Sequence, residues 1–454
     1  MIEIIDPSTG LLSGTFPLHS IDQANYMIQA CHNDHLEWKK ISIHERGIYI
    51  QNIAFQLLEK IDLFSEIMAI EMGKPIKEGK AEIEKCANLC YYFAENAEEF
   101  LKEKSIESHY SQSYISFQPL GVILGIMPWN FPFWQVFRFA IPALLAGNGV
   151  ILKHASNVSG CSMEIEKLMR KAGLPENLFV SVFLKGSETL SLIENPFLSA
   201  VTLTGSTEAG KSVAAKAGQE LKKIVLELGG SDPYLILPDA DLENAAKICA
   251  ASRLINNGQS CIAAKRFIID QEVYDEFVEL FIKQVKHFKT GNPTNPETDL
   301  GPLATEEIKN LIERQVSQSL KMGAIMKYIA GNSHTEGFFY PVQVLTQVIP
   351  GMDVFDSETF GPVAAMVKSH DLENMINLAN LTSFGLGSAI FTKDLELAHH
   401  LAQYDLQAGS CFINEMVRSD PRLPFGGIKN SGFGRELSSY GIQEFVNIKT
   451  IAVH

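Results

Sequence analysis

Three polar residues of this sequence lie in contexts that would make them chemically useful. Cys261 follows Gly and polar residues in the segment NGQSCIAA, so we expect a loop thiol that can act as a nucleophile. Glu227 lies within LELGG at the end of a predicted strand, where burial would raise its pKa towards that of a general base. Asn130 lies between two prolines in PWNFP, where a constrained amide can donate a hydrogen bond to an oxyanion. Each residue alone has an ordinary structural explanation, but the three together indicate nucleophilic catalysis.

A glycine-rich segment suggests a different chemistry. Residues 205–212 (GSTEAGKS) match the phosphate-binding pattern GxxxxGK[ST] between a predicted strand and a predicted helix, which favours a P-loop nucleotide triphosphatase. However, Glu208 inside the loop would repel a triphosphate, and Asp239 is poorly placed to hold Mg²⁺. A tight turn into a helix N-terminus also serves the pyrophosphate of a dinucleotide. The pattern GxGxxG is absent from this half, so the spacing does not predict an ordinary Rossmann oxidoreductase.

The elements that must position these residues alternate between helices and strands. Residues 1–104 predict three amphipathic helices, and residues 105–118 an exposed ribbon. The later residues predict strands that alternate with helices, a pattern that builds a parallel sheet covered by helices. The predicted helices are 21–38, 46–72, 76–104, 133–146, 161–172 and 209–217, and the strands are 121–127, 149–153, 179–184, 200–204 and 224–226.

A second α/β pattern follows Gly230, without an internal repeat or a flexible linker. Its predicted strands are 234–237, 266–269 and 363–367, and its predicted helices are 242–256, 275–287 and 306–322. Because the break at residues 227–230 is tight, we expect the two α/β halves to pack closely. The tail, residues 444–454, predicts an apolar strand that could extend the sheet of another subunit.

Composition excludes several classes of protein. The 454 residues are 46% hydrophobic, which is typical of a packed soluble chain, and the net charge of −15 argues against nucleic acid or anionic lipid as a partner. The charge-poor segment around residues 119–137 contains three prolines, which disfavours a membrane span. Seven cysteines without a disulfide pattern, and no secretory signal, predict a cytoplasmic protein. No cluster of His, Cys and Asp predicts a metal site.

Eight short segments occur in register along nearly the full chain: 71–75 (EMGKP), 128–132 (PWNFP), 153–156 (KHAS), 204–210 (TGSTEAG), 226–230 (LELGG), 258–261 (GQSC), 358–362 (ETFGP) and 424–429 (PFGGIK). Together they resemble the aldehyde dehydrogenase superfamily. The interval of 34 residues between Glu227 and Cys261 also fits that family. Within the family, residues 223–233 (KIVLELGGSDP) and 431–437 (SGFGREL) are most similar to the succinate-semialdehyde dehydrogenase branch.

The resemblance implies a fold of two α/β domains with parallel sheets and a small β arm for oligomerisation. Residues 1–104 and 119–227 would form a Rossmann-like NAD(P)-binding domain that lacks GxGxxG. Residues 228–430 would form the catalytic domain. Residues 105–118 and 431–454 would form the oligomerisation arm and tail, so a homodimer or homotetramer is expected.

The resemblance also assigns roles to individual residues. Cys261 is similar in position to the family's nucleophile, Glu227 to its base and Asn130 to its oxyanion amide. The cofactor would be NAD or NADP. The positions that the resemblance places around that cofactor are Lys153 and Ser156 at the adenosine ribose, Gly205 and Ser206 at the diphosphate, Glu358 and Phe360 at the nicotinamide ribose, and Trp129 and Leu228 beside them.

Some positions depart from the family pattern. The usual proline after Lys153 is His154, and Ser156 stands where a Glu is common. Because Ser156 is neutral and Lys153 can pair with a 2′-phosphate, we expect both NAD and NADP to be accepted. The resemblance further implies that the chain starts without the N-terminal hairpin of many relatives.

An arginine in a predicted apolar helix is the first candidate for binding the substrate. A buried Arg138 needs an anionic partner, which is either a structural Asp or Glu or a substrate carboxylate. In the succinate-semialdehyde branch, an Arg at this offset resembles the holder of the substrate's distal carboxylate. Arg418 or Ser419 could reach the same group. The family's other pocket Arg corresponds to Ile255, and Arg253 lies two residues earlier.

The sequence therefore predicts an enzyme that oxidises an aldehyde to a carboxylic acid with NAD(P)⁺ through a cysteine thioester. Succinic semialdehyde is the expected substrate, with another small aliphatic or carboxylated aldehyde as the alternative. A P-loop triphosphatase is the alternative from another class, and it would not need Cys261. A binding protein that kept the fold without the activity would be expected to lack Cys261, Glu227 or Asn130, and all three are present.

Overall fold

Strands occur throughout the chain in the computed structural model, which describes residues 1–330 and 336–454. We number them in chain order. The strands are β1 Ile2–Asp6, β2 Leu11–Phe16, β3 Lys104–Ser105, β4 Gln112–Pro119, β5 Val122–Met127, β6 Gly149–His154, β7 Phe179–Ser181, β8 Leu198–Thr204, β9 Lys223–Glu227, β10 Pro233–Ile236, β11 Arg266–Asp270, β12 Ile325–Ile329, β13 Gln343–Thr346, β14 Val363–Ser369, β15 Gly387–Phe391, β16 Ser410–Ile413, β17 Gly432–Phe433 and β18 Val446–Val453.

Helices connect most of these strands and pack on the sheets. Several begin at a side-chain cap, for example at Ser20 and Ser42, where a Gln or Glu three residues later completes a capping box. The helices are α1 Ile21–Trp38, α2 Ile43–Glu59, α3 Ile61–Met72, α4 Ile76–Phe100, α5 Trp134–Leu145, α6 Ser159–Lys171, α7 Gly186–Leu192, α8 Thr207–Gln219, α9 Leu242–Leu254, α10 Tyr274–Val285, α11 Glu306–Lys321, α12 Asp353–Asp356, α13 Leu372–Asn380, α14 Leu395–His400 and α15 Ser438–Gln443.

Two sheets form the centre of the molecule, and the first contains the predicted cofactor strands. Its order is β17-β9-β8-β5-β6-β7, and every pairing except that of β17 with β9 is parallel. The carboxyl ends of β5, β6, β8 and β9 therefore meet at one edge of the sheet, which is where ligands bind in open α/β sheets.

The second sheet has the order β12-β13-β14-β11-β10-β15-β16. All its pairings are parallel except that of the edge strand β12 with β13. Its inner strands are buried, as the continuous apolar runs of β10 and β11 require in a sheet covered on both faces. The predicted fold class, two α/β units with parallel sheets, is confirmed.

The C-terminal tail forms a strand, as predicted, but its partner lies in the same chain. The strand β18 pairs antiparallel with β4 over eight residues, from Val446 opposite Pro119 to Val453 opposite Gln112. With β3 the two make a three-stranded sheet in which β18 is an edge. One edge of the tail strand is therefore already used within the chain, and the other is open within the described residues.

Some sequence predictions are wrong in detail. An N-terminal hairpin is present, because β1 and β2 pair antiparallel around a turn at Gly10, whose φ is +72°. The helix predicted over residues 46–72 is two helices, since the backbone at Lys60 leaves the helical region between α2 and α3. The helix predicted to reach residue 256 ends at Leu254, because Asn256 has a positive φ. Besides β1 and β2, five further short strands were not predicted: β12, β13, β15, β16 and β17.

The charge-poor segment near residue 130 is interior protein. The strand β5 is almost fully buried, and every residue of α5 is buried although the helix contains Pro142 and Arg138. Within the described residues no helix is both long and apolar enough to cross a membrane. The prediction that this segment is a buried strand, a loop and a helix start is confirmed.

Candidate active site

The first sheet brings four of the predicted site residues to a single edge. Asn130 follows the end of β5, and Lys153 is the penultimate residue of β6. Ser206 follows β8, and Glu227 ends β9. Because these strands are parallel neighbours, residues separated by almost one hundred positions in the sequence lie beside one another.

Cys261 approaches that edge from the other α/β unit, on a loop with an unusual backbone. After α9 ends at Leu254, three consecutive residues adopt positive φ: 50° at Asn256, 58° at Asn257 and 77° at Gly258. Asn tolerates this conformation better than other residues with a side chain, and Gly adopts it freely. The asparagines and the glycine that precede the cysteine therefore set the path of the chain into it.

Side-chain hydrogen bonds hold this loop in place. Asn256 Nδ2 donates to the carbonyls of Asn130 at 2.7 Å and Gln259 at 3.1 Å. Asn257 bridges to another part of the chain, where its Oδ1 accepts from Gly301 N at 2.6 Å. Gln259 Oε1 accepts from Ala304 N at 2.9 Å. The loop is thus fixed on both sides by groups that sequence reasoning assigned no role.

Two buried cations complete the support of the loop. Lys265 Nζ donates to the carbonyls of Ser260 at 2.9 Å and Cys261 at 2.7 Å, and it lies 3.7 Å from a Glu358 carboxylate oxygen. Arg253 Nη2 donates to the Gly258 carbonyl at 2.7 Å. Arg253 is therefore a structural residue of the loop, and it does not line the larger of the two cavities described below, whereas Ile255 does.

The thiol of Cys261 is neutral in this environment at physiological pH. Burial raises its pKa to about 12, although the positive charges of Arg138 and Lys265 act in the opposite direction. Nucleophilic attack requires the thiolate. A proton must therefore leave the sulfur before or during attack, which gives a nearby base a defined task.

Cys261 forms part of the wall of two cavities. The first, of about 220 Å³, is also lined by Asn130, Gly205, Ser206 and Glu358, together with Trp129, Leu228 and Phe360. The second, of about 370 Å³, lies on the side of α4 and α5. A thiol shared by two cavities can react with a group from one while a second molecule occupies the other.

The Asn130 amide is oriented by the cysteine loop. Its Nδ2 donates to the Gln259 carbonyl at 3.1 Å, which uses one of its two N–H groups. The side chain is 4% exposed, and its Oδ1 accepts no hydrogen bond from the described residues. The second N–H is available to an oxygen in the cavity that Asn130 and Cys261 both line.

Glu227 lies beside a second carboxyl group, and it lines neither cavity within the described part of the chain. Burial, and then the charge of Glu436, raise the pKa of Glu227 well above its ordinary value, while Arg138 and Arg435 oppose that rise. Neither of its oxygens accepts a hydrogen bond from the described residues. The carboxyl group is therefore a strong proton acceptor once ionised, as a general base requires.

The smaller cavity has the features of a site for a nicotinamide nucleotide. Its aromatic wall is formed by Trp129 and Phe360, whose rings meet edge to face with centroids 5.7 Å apart. The Glu358 carboxylate accepts a hydrogen bond from Gly230 N at 3.0 Å. At the other end, Ser206 caps α8 by accepting from Ala209 N at 3.3 Å, which directs the helix N-terminus towards Gly205. Such a terminus favours a phosphate.

A buried lysine lies near the end of β6. Lys153 is 8% exposed, burial lowers its pKa, and it forms no ion pair within the described residues. The neighbouring His154 is neutral, because burial lowers its pKa to about 4 and its Nε2 contacts the Pro132 carbonyl at 2.9 Å. Ser156 is exposed at the start of a short 3₁₀ helix. Lys153 is therefore the positive group nearest in sequence to Ser156.

The P-loop hypothesis does not survive the geometry of residues 205–212. The helix α8 begins at Thr207, so Lys211 lies in the second turn of a helix and not in a phosphate-cradling loop. Lys211 instead forms an exposed ion pair with Glu208 at 3.1 Å, and Ser212 Oγ donates to the Glu208 carbonyl. Only the Gly205–Ser206 turn remains available for a phosphate.

The larger cavity contains Arg138 in an ion pair. Its guanidinium contacts the carboxylate of Glu436, and both side chains are only 2% exposed. The guanidinium also lies over the Phe425 ring, 4.5 Å from its centroid. The Arg138 side chain lines this cavity, although its Nη2, which donates to no described residue, is itself buried.

Two further predicted substrate residues line the same cavity, together with one that was not predicted. Arg418 is 57% exposed and pairs with Glu415 at 3.2 Å. Ser419 is buried, and its Oγ accepts a hydrogen bond from Lys85 Nζ at 2.7 Å. Lys85 lies on α4, outside all eight segments of the family resemblance, so the sequence contained no local signal for it. The described residues contain no group of three or more His, Cys, Asp or Glu that could hold a metal ion.

Comparisons of the chain with a family model, with curated proteins and with solved structures all find aldehyde dehydrogenases. The model described as "Aldehyde dehydrogenase family" matches residues 1–451. The "Probable succinate-semialdehyde dehydrogenase [NADP(+)]" of Synechocystis sp. is 44% identical over 99% of both chains, and "Succinate-semialdehyde dehydrogenase [NADP(+)] 1" of Mycobacterium bovis is 42% identical over 99% of both. Among solved structures, succinic semialdehyde dehydrogenase from Streptococcus pyogenes in complex with NADP⁺ is 36% identical with a TM-score of 0.97, covering 100% of both chains.

Proposed function

Because the chain belongs to the aldehyde dehydrogenase family, as its sequence predicted, we propose that it oxidises succinic semialdehyde to succinate with NAD⁺ or NADP⁺. The observation that carries the proposal is the position of Cys261 in the wall of both cavities. One cavity has the features of a nicotinamide nucleotide site, and the other is lined by cationic side chains. The relatives named above act on this aldehyde and use NADP⁺ according to their names.

The residues present fit a nicotinamide nucleotide. The capped N-terminus of α8 at Ser206 and the Gly205 turn would hold the diphosphate, and Glu358 would hold the nicotinamide ribose. Lys153, which has no ion-pair partner among the described residues, would meet the adenosine ribose and a 2′-phosphate. When bound, the oxidised nicotinamide accepts a hydride.

The chain's own residues perform the covalent steps. The Cys261 sulfur adds to the aldehyde carbon and passes its proton to a base, which forms a carbon–sulfur bond and a negative oxygen. The free N–H of Asn130 and the backbone N–H of Cys261 stabilise that oxygen. Removal of one such donor typically costs roughly 3–4 kcal/mol. Loss of hydride leaves an acyl group on Cys261 as a thioester.

Glu227 is the base for hydrolysis of that thioester. Once ionised, it takes a proton from water, and the oxygen of that water adds to the acyl carbon as the thiolate of Cys261 leaves. Its high pKa, which arises from burial and from Glu436, makes the ionised form a stronger proton acceptor than an exposed carboxylate. Because Glu227 lines neither cavity, its carboxyl group must reach the thioester either by moving towards it or through a water molecule that lies between them.

A single assay tests the proposal. NAD(P)H formation at 340 nm is measured with succinic semialdehyde and with butanal, which has the same number of carbons but no carboxylate. We expect a much higher kcat/KM for succinic semialdehyde, because Arg138, Arg418 and Ser419 line the substrate cavity. Equal kcat/KM for the two aldehydes would refute the carboxylate-binding cavity, and absence of turnover with any aldehyde would refute the reaction.

We also propose that the chain works as a homodimer or homotetramer. The open edge of β18 is the supporting feature, and Ile448 and Val453 on this strand are 58% and 46% exposed. An exposed apolar edge strand offers unpaired backbone groups to another chain. Size-exclusion chromatography with light scattering tests this, and a monomer would refute it.

We further propose that the protein is located in the cytoplasm. All seven cysteines are free, and five of them are buried inside the protein. Free thiols persist in a reducing compartment. Fractionation of the native cell with an antibody against the chain tests it, and recovery outside the cytoplasm would refute it.

A further inference from the structure

The substrate cavity contains one cation whose charge is not balanced by a neighbour. Of the three cationic side chains in its wall, Arg138 is paired with Glu436 and Arg418 with Glu415. Lys85 is the third, and within residues 1–330 and 336–454 it forms no ion pair. The net charge that this wall presents to a ligand is therefore that of Lys85.

The acidic groups nearest to Lys85 are occupied by other partners. Glu82, one helical turn earlier on α4, is paired with Lys74 and accepts hydrogen bonds from the backbone N–H groups of Phe133 and Trp134, each at 2.9 Å. Asp420 accepts from Arg422 Nη2 at 2.5 Å and from Arg422 Nε at 2.8 Å. Neither carboxylate is free to turn towards Lys85.

The ammonium group is nevertheless held in a defined place. Its Nζ donates to Ser419 Oγ at 2.7 Å and lies 4.0 Å from the centroid of the Trp134 ring. Ser419 and Trp134 both line the same cavity as Cys261. An ammonium has three N–H groups, so two remain for a ligand after the bond to serine.

We infer that Lys85 binds the carboxylate end of the aldehyde substrate, and that selectivity for an anionic aldehyde depends on this lysine together with Ser419. This rests on the proposed function, since it names a residue that recognises the proposed substrate. Arg138 can add a hydrogen bond, but its charge is already neutralised by Glu436. Lys85 thus determines which aldehyde binds, and it takes no part in the covalent steps at Cys261.

The surroundings of Lys85 make its charge sensitive to pH. Burial, and then the positive charge of Arg138 on α5, lower its pKa to about 8. Cys86 and Glu82 on its own helix, and Asp420 in the neighbouring loop, act in the opposite direction. Lys85 is charged below this pKa. Binding of the carboxylate should therefore weaken as the pH rises through about 8.

The test compares two aldehydes in matched variants. In Lys85→Met we expect KM for succinic semialdehyde to rise about 10- to 100-fold, as for the loss of a charged hydrogen bond, while kcat/KM for butanal stays within about twofold. Lys80→Met is the control, because Lys80 lies on the same helix, pairs with Asp62 and does not line the cavity. Lys80→Met should leave KM and kcat/KM unchanged for both aldehydes.

A conservative variant and a pH profile separate binding from structure. In Lys85→Arg the low KM should be retained, and its rise above pH 8 should disappear, because guanidinium stays charged. Wild-type KM for butanal should show no such rise. Succinate, used as a competitive inhibitor, should lose affinity in Lys85→Met in parallel with the substrate.

The outcomes distinguish failure of the Lys85 inference from failure of the proposed function. If the wild type prefers succinic semialdehyde and Lys85→Met keeps that preference, the inference is overturned while the proposed function stands. An equal loss of kcat/KM with both aldehydes in Lys85→Met would assign Lys85 a structural role, and this result would also overturn the inference. If the wild type itself shows no preference, the proposed substrate is wrong and the inference falls with it.

Discussion

Replacement of Arg138 by Met should destabilise the protein much more than loss of an ordinary ion pair. Both Arg138 and Glu436 are 2% exposed, and the Arg138 guanidinium contacts the Glu436 carboxylate directly. Without Arg138, a buried carboxyl group is left uncompensated. Breaking such a pair typically costs about 3–5 kcal/mol, whereas replacing both partners by apolar residues is often close to neutral. The double variant Arg138→Met/Glu436→Leu should therefore recover most of the loss.

The loss should depend on pH with a definite sign. Burial raises the pKa of Glu436 above its ordinary value of 4.5, and Arg138 limits that rise. A carboxyl group with a raised folded pKa binds more protons when folded, so its contribution is complete below pH 4.5 and is lost as the pH rises through the folded pKa. Without Arg138 the folded pKa rises further. The destabilisation by Arg138→Met should therefore be smaller at pH 5.5 than at pH 8.

Urea unfolding followed by tryptophan fluorescence, at one fixed protein concentration, measures these differences. Arg170→Met is the control, because Arg170 is 44% exposed and pairs with Glu166 across one helical turn at 2.6 Å. It should change the free energy of unfolding by no more than about 1 kcal/mol. The reasoning fails if Arg138→Met costs as little as the control, or if the double variant is as unstable as the single one.

Three further predictions concern catalysis. Cys261→Ser should lose nearly all NAD(P)H formation in the 340 nm assay, whereas Glu227→Gln should retain part of a single-turnover burst and lose steady-state turnover, because only hydrolysis of the thioester then lacks its base. Asn130→Ala should lower kcat by about 100- to 1,000-fold in steady-state kinetics, because one donor to the oxyanion is lost. Ser156→Glu should raise KM for NADP⁺ more than KM for NAD⁺, because a carboxylate repels the 2′-phosphate.

Each of these has an outcome that would contradict it. Normal turnover in Cys261→Ser would refute the nucleophile, and a Glu227→Gln variant with full steady-state turnover would refute the base. An Asn130→Ala variant with unchanged kcat would remove the amide from the oxyanion site. If the wild type rejects NADP⁺ by several orders of magnitude, the interpretation of Ser156 is wrong.

The sequence predicted the fold class, because the alternation of strands and helices depends on local patterns. Alternation of apolar runs with amphipathic segments identified β5, β6, β8 and β9, and parallel pairing then places their carboxyl ends together. Turn residues after each strand mark the same edge, as with Asn130 after β5 and Gly205 after β8. The predictions of the long helices failed at Lys60, which divides one predicted helix into two, and at Asn256, where another ends early; neither residue is a proline or a glycine.

The partners of the site residues could not be predicted, since they lie far away in the sequence. Glu436 neutralises Arg138 from a position 298 residues later, and Ser419 lies 334 residues after Lys85. No periodicity or short spacing links such pairs. The same holds for Lys265, whose three hydrogen bonds to carbonyls of the cysteine loop follow from the fold and from no motif.

The segment 71–75 shows how a motif that lines neither cavity can still support the candidate active site. Gly73 has a φ of +74° and its carbonyl accepts a hydrogen bond from Asn257, while the Glu71 carboxylate accepts from Gly160 N at 2.7 Å at the start of α6. Just beyond the segment, Glu78 accepts from the backbone N–H of Asn256 at 2.8 Å. Two of these contacts reach the left-handed residues that lead into Cys261. The segment therefore acts on the thiol indirectly, because the turn between α3 and α4 fixes the loop that leads into Cys261.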